Sequence, residues 1–373
     1  MTEAGASRHR PVVAPPYAGG TIRAILTALA LISLPEPTLA QTTLAQPSER
    51  PMIIAHRGAS GERPEHTRAA YELAVAQGAD VIEPDLVMSR DGRLVVRHEN
   101  EISETTDVAD RPEFANRRTT RMIDGRETTG WFTEDFTLQE LRTLHARERL
   151  PGLRPVNTAF ADQRILTFED VVDIAREQSI RTGRTIWVAP ELKHPSHFAA
   201  LGFDLEAAFL HALRREGLTG ADAPVLVQCF EVGPLERLAA RVDTPLLQLM
   251  SVAGGPVDRP ELTYAAMATP EGLAAVAGYA GWAGVETGLI LPRDEMGRTA
   301  TPTTFIADAH AAGLKVSVWT LRAENAFLPL ELRRGETPAD HGDMAAYARA
   351  FADLGADALF SDFPGMAAEA VAR

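Results

Sequence analysis

The chain has 373 residues, 45% of them hydrophobic, with a formal net charge of −14 and a single cysteine, Cys229. This length is enough for one large domain with a well-buried core. The negative charge argues against wrapping nucleic acid or adsorbing to anionic membranes, and one cysteine excludes an internal disulfide framework and a cysteine-based zinc site. An anionic ligand would therefore need local positive charge or a metal.

The N-terminus has the pattern of a secretory signal peptide. Arg8, Arg10 and Arg23 precede an apolar run over residues 24–34, and small residues follow it. The run is too short to span a bilayer, which takes roughly 20 residues. We therefore predict a signal peptide and linker over residues 1–45, a periplasmic or secreted location, and no stable membrane insertion of the mature chain.

From Met52 onward, short β-type runs alternate with amphipathic helical patterns. The predicted strands are Met52–Ala55, Asp80–Glu83, Leu94–Arg97, Thr185–Pro190, Val225–Gln228, Pro245–Leu249, Gly284–Ile290, Lys315–Trp319 and Ala358–Ser361. The predicted helices include Thr67–Gln77, Phe168–Glu177, Leu205–Glu216, Thr303–Ala312 and Asp343–Leu354. Several strands are nearly continuous apolar runs, which is typical of parallel strands covered on both faces. The alternation predicts an α/β fold, a (β/α)8 TIM barrel over residues 50–370.

One segment, residues 105–162, breaks this alternation. It is rich in charge, Thr and Gly, and its only clear helical pattern is Leu138–Leu144. We predict an insertion between the second and third barrel strands, since long excursions of this kind usually serve a site or a lid. Trp131 and Phe132 in this segment either form a lid or pack the segment down.

Polar and charged residues cluster directly after the apolar strands. These residues are His56, Arg57, Glu83, Asp85, His98, Glu191, Lys193, Gln228, Trp319 and Asp362. In a barrel such strand ends meet at one face, where these enzymes place the active site. Trp319 is the best candidate among the aromatic residues, ahead of Trp282, to line a substrate pocket.

The charged residues in this set suit metal and proton chemistry. Glu83 and Asp85, at a spacing of two, project to the same side of an extended chain, and with Glu191 they form an all-oxygen site suited to Ca2+ or Mg2+. An imidazole titrates near neutral pH, so His56 and His98 can together supply an acid and a base.

The basic residues in the set suit phosphate binding. Arg57 offers a planar fork to phosphate oxygens and Lys193 a point charge. Both can also neutralise the neighbouring carboxylates. The two roles are compatible, because a metal and two cations would reverse the local charge of an acidic site.

An ordered series of motifs over residues 52–365 resembles the glycerophosphodiester phosphodiesterase family. The N-terminal motifs are His56-Arg57-Gly58-Ala59, Arg63-Pro64-Glu65-His66-Thr67, Glu83-Pro84-Asp85-Leu86, Asp91-Gly92 and Val95-Val96-Arg97-His98-Glu99. Thr105-Thr106-Asp107, Glu191-Leu192-Lys193, Gln228, Trp319-Thr320 and Asp362-Phe363-Pro364 follow in the same order. The long segment after His98 is similar to that of the secreted bacterial branch.

The resemblance implies hydrolysis of a glycerophosphodiester, a small-molecule substrate, to glycerol 3-phosphate and an alcohol. It implies that Glu83, Asp85 and Glu191 bind a divalent metal, Ca2+ or Mg2+, and that His56 and His98 are general acid and base. It further implies substrate binding by Arg57, Lys193, Gln228 and Trp319, with Glu65 as another polar site residue or metal ligand. The nucleophile is water or the glycerol 2-hydroxyl.

Two positions depart from the family pattern. His66 stands where the family usually has Asn, which changes the hydrogen bonds that support the site, and Cys229 stands where Ser is commoner. We expect Cys229 to be a small buried residue without a catalytic role.

Two alternative functions remain open. One is a phospholipase D-like hydrolase of lipid head groups, although such chains are typically shorter and disulfide-bonded. The other is an inactive binding protein on the same barrel, although every matched catalytic position is filled here.

Overall fold

The computed structural model of this protein describes residues 50–372, so the predicted signal segment lies outside the described residues. The strands are β1 (Met52–His56), β2 (Val81–Glu83), β3 (Asp85–Met88), β4 (Leu94–Val96), β5 (Thr119–Ile123), β6 (Arg126–Gly130), β7 (Trp187–Val188), β8 (Glu191–Leu192), β9 (Val227–Cys229), β10 (Leu246–Met250), β11 (Trp282–Glu286), β12 (Lys315–Leu321) and β13 (Ala358–Ser361). The α-helices are α1 (Arg68–Ala76), α2 (Leu138–Leu141), α3 (Phe168–Thr182), α4 (Pro195–Ala200), α5 (Leu205–Arg215), α6 (Val232–Ala239), α7 (Tyr264–Met267), α8 (Pro270–Val276), α9 (Phe305–Ala311), α10 (Met344–Asp353) and α11 (Pro364–Val371).

The main sheet curls into a barrel of parallel strands. β1 pairs with both β2 and β13, and parallel pairs continue from β13 through β12, β11, β10 and β9 to β8. β8 pairs with β3, and β7 pairs with β2, so β2 with β3 and β7 with β8 each form one interrupted barrel strand. These pairings confirm the predicted α/β barrel. Pro84 interrupts the strand of β2 and β3, because proline has no N–H for the ladder.

The predicted strand Leu94–Arg97 is present as β4, but it pairs outside the ring of parallel barrel strands. β4 runs antiparallel to β3, with Val87 opposite Val95, and the two are joined by a turn in which Gly92 has a φ of +73°. A connection this short permits only an antiparallel pair, since a parallel one needs a long crossover. The predicted strand Gly284–Ile290 is also displaced: β11 lies earlier, and Thr287–Leu289 is a turn of 3-10 helix.

The chain between β4 and α3 contains only short elements. They are 3-10 helices at Val108–Asp110, Pro112–Arg117, Thr133–Asp135 and Pro155–Ala159, the antiparallel hairpin of β5 and β6, and α2. α2 ends three residues earlier than the predicted helix. Phe132 is fully buried, and Trp131 is buried with its indole donating a hydrogen bond to the Phe114 carbonyl at 2.7 Å. Both aromatic rings are therefore buried and pack the segment down, which is the second of the two predicted roles.

Apolar side chains fill both sides of the barrel wall. The interior holds a small cluster that includes Ile54, Leu247, Leu249 and Phe360, and a larger cluster lies between the strands and the helices. Every residue of β10 is buried, as expected for a strand covered on both faces. Within residues 50–372, no helix has the length and apolar character needed to cross a membrane.

The longest described helix, α3, begins at a capping box. The Thr167 hydroxyl accepts a hydrogen bond from the Asp170 N–H at 3.3 Å, and the Asp170 carboxylate accepts one from the Thr167 N–H at 2.8 Å. The helix ends at Gly183, whose φ of 68° suits a residue without a Cβ. The cap fixes where α3 begins after the long segment that precedes it.

We predict that Thr167→Ala lowers the free energy of unfolding by about 1 kcal/mol, because it leaves an N-terminal N–H of α3 without an acceptor. Urea unfolding followed by circular dichroism measures this change. Thr301→Ala is the matched control, since Thr301 is exposed and outside any helix, and it should change stability by less than about 0.5 kcal/mol. Equal losses in the two variants would contradict the capping role.

Candidate active site

The strand register brings the predicted site residues to one mouth of the barrel. His56 on β1 lies opposite Glu83 on β2. Asp85 on β3 lies opposite Glu191 on β8, which in turn lies opposite Gln228 on β9. Residues far apart in the chain thus become neighbours because adjacent parallel strands place their equivalent ends side by side.

Three carboxylates form a compact buried cluster. One oxygen each from Glu83, Asp85 and Glu191 lies within 4.8 Å of the others. The Oδ1 atom of Asp85 is buried without a hydrogen-bond partner among the described residues, and Lys193 Nζ lies 4.0 Å from it. A set of convergent oxygens with an unsatisfied acceptor fits a hard divalent cation.

The pKa values in the cluster are pushed apart. Burial and the neighbouring charge of Asp85 raise the pKa of Glu83 well above its usual value, and burial raises that of Glu191 to about 8. Burial also opposes ionisation of Asp85, but His98 and Lys193 outweigh it and hold the pKa of Asp85 well below its usual value. A bound cation would favour the ionised form of all three carboxyl groups.

Two side chains and one backbone N–H donate hydrogen bonds to the two glutamates of the cluster. The Glu83 carboxylate accepts hydrogen bonds from the Arg57 N–H at 2.7 Å and from Gln228 Nε2 at 3.2 Å. Gln228 Nε2 also donates to the Ala189 carbonyl, while its Oε1 is buried without a partner among the described residues. Lys193 Nζ donates to the Glu191 carboxylate at 2.7 Å.

His66, where the family usually has Asn, supports the carboxylate cluster from below. The ring is fully buried, and burial lowers its pKa, so the neutral ring donates from Nε2 to Asp85 Oδ2 at 2.8 Å. Its Nδ1 accepts a hydrogen bond from the Tyr71 hydroxyl at 2.9 Å. The imidazole therefore links Asp85 to the buried Tyr71 side chain, so the support that the sequence left uncertain is present.

Glu65 lies beside the site but does not line its cavity. Its carboxylate accepts hydrogen bonds from Arg57 Nη1 at 3.0 Å and from Arg149 Nε and Nη2 at 2.8 and 2.7 Å. Arg57 also approaches Asp85, with Nε 3.4 Å from Oδ2. Two arginines occupy the oxygens of Glu65, so its contacts favour a role in holding Arg57 over a direct contact with substrate or metal.

His56 is oriented by a carboxylate. Its Nδ1 donates to Asp362 Oδ1 at 2.6 Å, which leaves Nε2 as the nitrogen available for proton exchange. The other oxygen of Asp362 accepts from Arg154 Nη2 at 2.6 Å and from Arg322 Nε at 2.8 Å. Burial, followed by the charge of Arg57, lowers the pKa of His56 to about 4, so the ring is neutral at pH 7.

His98 is oriented in a similar way. Its Nδ1 donates to the Glu99 carboxylate, whose other oxygen accepts from Arg149 Nη2 at 2.5 Å. Its Nε2 lies 3.1 Å from Lys193 Nζ, which can only donate. Burial, followed by the charge of Arg57, lowers the pKa of His98 to about 3, so this ring is also neutral at pH 7.

A cavity of about 290 Å³ joins these groups. Its walls are His56, Arg57, Glu83, His98, Glu191, Lys193, Gln228, Phe230, Leu249, Trp319, Thr320, Arg322 and Phe360. Trp319 packs edge-on against Phe230 at a centroid distance of 5.6 Å, whereas Trp282 packs at the barrel interior and is absent from the cavity wall. Cys229 is fully buried, as predicted.

Sequence reasoning missed several residues of this site. Two of them had a signal in the sequence. Glu99 directly follows His98 in a motif, and Arg322 directly follows the strand that carries Trp319. Arg149 and Arg154 lie in the irregular segment, where no periodic pattern indicates which side chain points inward.

An α/β barrel with acidic, basic and imidazole groups around one cavity at its mouth is the architecture of a barrel enzyme. The model of the Glycerophosphoryl diester phosphodiesterase family matches residues 56–366. The chain belongs to this family, and it is a phosphoric diester hydrolase.

Related sequences agree with this assignment. A glycerophosphodiester phosphodiesterase of Arabidopsis thaliana is 33% identical over 353 residues, which cover 90% of each chain. A glycerophosphodiester phosphodiesterase of Haemophilus influenzae is 33% identical over 217 residues, covering 54% of this chain and 57% of the relative. The match to the plant protein therefore extends over nearly the whole of both chains.

A solved structure supports the fold. A phosphodiesterase of Oleispira antarctica, in complex with the product sn-glycerol-3-phosphate, superposes with a TM-score of 0.58 at 20% identity. The match covers 86% of this chain and 96% of that one. At this identity the comparison bears on the barrel fold alone.

We predict that Ca2+ or Mg2+ stabilises metal-stripped protein, because binding to the carboxylate cluster favours the folded state. At about 100 times the dissociation constant the gain is about 2.7 kcal/mol, visible as a higher Tm in scanning calorimetry. Glu191→Gln should lose most of this rise, whereas Glu104→Gln, at an exposed position, should keep it. An undiminished rise in the Glu191→Gln protein would mean that the cation binds elsewhere.

Proposed function

We propose that this protein hydrolyses glycerophosphodiesters to glycerol 3-phosphate and an alcohol in the cavity at the barrel mouth. One observation carries the proposal: six charged or imidazole side chains converge on one cavity, with Asp85 beside the two glutamates. The six are Glu83, Glu191, His56, His98, Arg57 and Lys193. Membership of the family and a similarly folded phosphodiesterase with bound sn-glycerol-3-phosphate support it.

The charged groups divide between metal and phosphate. Glu83, Asp85 and Glu191 would hold the divalent cation, Ca2+ or Mg2+, which when bound supplies positive charge to a phosphoryl oxygen. Arg57 and Lys193, both in the cavity wall, bind the remaining phosphate oxygens and offset the charge that grows in the transition state. The substrate is thereby held beside both imidazoles.

The two imidazoles carry out the proton transfers. Each ring engages a carboxylate through Nδ1, which fixes the tautomer and leaves Nε2 as the reacting nitrogen. One ring, unprotonated on Nε2, accepts the proton of the attacking water or hydroxyl. The other ring must carry a proton on Nε2 to protonate the departing alkoxide, and the negative charge of a bound phosphodiester favours that imidazolium form. His56 and His98 take these two roles in the hydrolysis.

Gln228 and Trp319 complete substrate binding in this proposal. The Oε1 atom of Gln228 is a buried acceptor without a partner among residues 50–372, and it suits a glycerol hydroxyl. The Trp319 ring, half-buried against Phe230, offers an apolar wall to the glycerol or alcohol.

The proposal extends to the organisation of the chain. Residues 50–370 form one barrel domain, and residues 105–162 form an insertion that serves the site. Residues 1–45 are a signal peptide and linker that direct the protein to the periplasm or outside the cell, which the charged, apolar and small-residue pattern supports.

We predict that the mature chain treated with EDTA loses release of glycerol 3-phosphate from glycerophosphocholine, because the substrate phosphate then faces an uncompensated carboxylate cluster. Adding Ca2+ or Mg2+ should restore the rate, measured by an enzyme-coupled assay. Full activity after thorough metal removal would refute the metal requirement. Faster release of head group from intact phospholipid than from glycerophosphocholine would instead favour the lipid head-group hydrolase.

We predict that His56→Ala and His98→Ala each lower kcat by ~10² or more, since general acid-base catalysis contributes that much. His211→Ala, at an exposed position on α5, is the control and should leave kcat unchanged. Steady-state kinetics on glycerophosphocholine measures all three variants. A histidine variant with a near-native rate would remove that residue from the mechanism.

A further inference from the structure

Two arginines of the irregular segment reach the carboxylates that orient the two histidines. Arg154 contacts Asp362 behind His56, and Arg149 contacts Glu99 behind His98. Asp362 is 208 residues from Arg154 in the chain and His56 is 98 residues from it, so only the folded segment brings these groups together. The carboxylates behind both histidines are therefore held by arginines from one short stretch, residues 149–154.

The side chains that hold His56 through Asp362 are almost fully buried. Besides Asp362, Arg154 binds the Glu324 carboxylate from Nε at 2.6 Å and the Ser60 carbonyl from Nη1 at 3.0 Å. The side chains of Arg154 and Glu324 are 6% and 0% exposed, so solvent does not weaken their pairing. The Ser60 hydroxyl donates to the His56 carbonyl at 2.8 Å, which links Arg154 to the histidine a second time.

The support of His98 is shared with a phosphate-binding candidate. Arg149 joins Glu99 to Glu65, and Glu65 in turn accepts a hydrogen bond from Arg57. One guanidinium thus connects the carboxylate behind His98 with the carboxylate that holds Arg57. Arg149 binds Glu65 as a fork through Nε and Nη2, and its Nη2 also donates to Glu99.

The segment that carries both arginines is itself fixed. Buried Glu148 accepts hydrogen bonds from the Leu150 N–H and from Asn157 Nδ2, both at 2.7 Å. Asn157 Nδ2 also lies 3.3 Å from the Ser60 carbonyl. These bonds tie the two ends of the short stretch together and to the loop after His56, so the arginines have little freedom to move.

We propose that the irregular segment is a positioning device, in which Arg149 and Arg154 fix the orientation of the two proton-transferring histidines. The proposal rests on the proposed function. The arginines touch neither imidazole directly and act through Glu99 and Asp362. Because an error of about 1 Å in a reacting group can cost about 10²-fold in rate, loss of either arginine should impair turnover more than substrate binding.

The first test is steady-state kinetics of Arg154→Met and Arg149→Met on glycerophosphocholine. Each should lower kcat by about 10- to 100-fold, the usual effect of removing a group that orients an active-site residue. KM should change by less than kcat does. Arg154→Lys should recover part of the kcat loss, because it keeps the charge near Asp362. An effect on KM alone would overturn the proposal.

The second test is a double-mutant cycle, which a merely structural role would not satisfy. If Arg154 acts through His56, Arg154→Met should cost little further activity in the His56→Ala protein but its full factor in the His98→Ala protein. Arg149→Met should cost its full factor in the His56→Ala protein and a smaller one in the His98→Ala protein, where only its link to Arg57 through Glu65 remains. Equal factors in both backgrounds would overturn the proposal while leaving the proposed function intact. An unchanged kcat in His56→Ala itself would instead overturn the proposed function and this inference with it.

Two further variants distinguish a loss of kcat caused by misfolding from one caused by misplaced histidines. Arg154→Met leaves the buried Glu324 charge without its partner, so the double variant Arg154→Met/Glu324→Gln removes that charge and should show the same kcat loss in folded protein. Arg147→Met lies in the same segment but pairs with exposed Asp110, and it should leave kcat unchanged. A loss of kcat in Arg147→Met equal to that of its neighbours would overturn the proposal.

Discussion

The closeness of three carboxylates, with an oxygen from each of Glu83, Asp85 and Glu191 within 4.8 Å of the others, is the constraint on which the rest of the site depends. Two like charges about 4 Å apart repel by about 4 kcal/mol at an effective dielectric constant of about 20. Without a cation, burial of the carboxyl groups and then this repulsion favour protonation, which explains the raised pKa values of Glu83 and Glu191. The register of parallel strands enforces this closeness, and a divalent cation bound between the carboxylates would offset their repulsion.

The groups around the cluster also offset the repulsion between its carboxylates. Lys193 pairs with Glu191, His66 donates to Asp85, and the backbone N–H of Arg57 donates to Glu83. Each of these groups belongs to the cavity wall or lies behind it. The contacts that reduce the repulsion between the carboxylates therefore also bring positive charge to the place where a phosphate would bind. Stability and ligand binding here draw on the same side chains.

The sequence predicted the parts of the site that local pattern encodes. Glu83 and Asp85 share one side of an extended chain because side chains alternate along a strand, and the structure places both in the cluster. The same reasoning found the strand at Leu94–Arg97 but not its pairing, because an apolar run does not reveal whether its partner is parallel or antiparallel. It also left Trp131 and Phe132 undecided, since burial in an irregular segment has no periodic signal.

By itself, the sequence determined the alternation of strands and helices, the barrel class and the inventory of carboxylates, imidazoles and cations at strand ends, because each of these follows from short-range periodicity and residue type. Only the tertiary structure decided which of these groups meet, how far their pKa values move and which side chains orient the histidines. Those properties depend on distance and burial, and both arise when the barrel closes and the segment carrying Arg149 and Arg154 folds against its mouth.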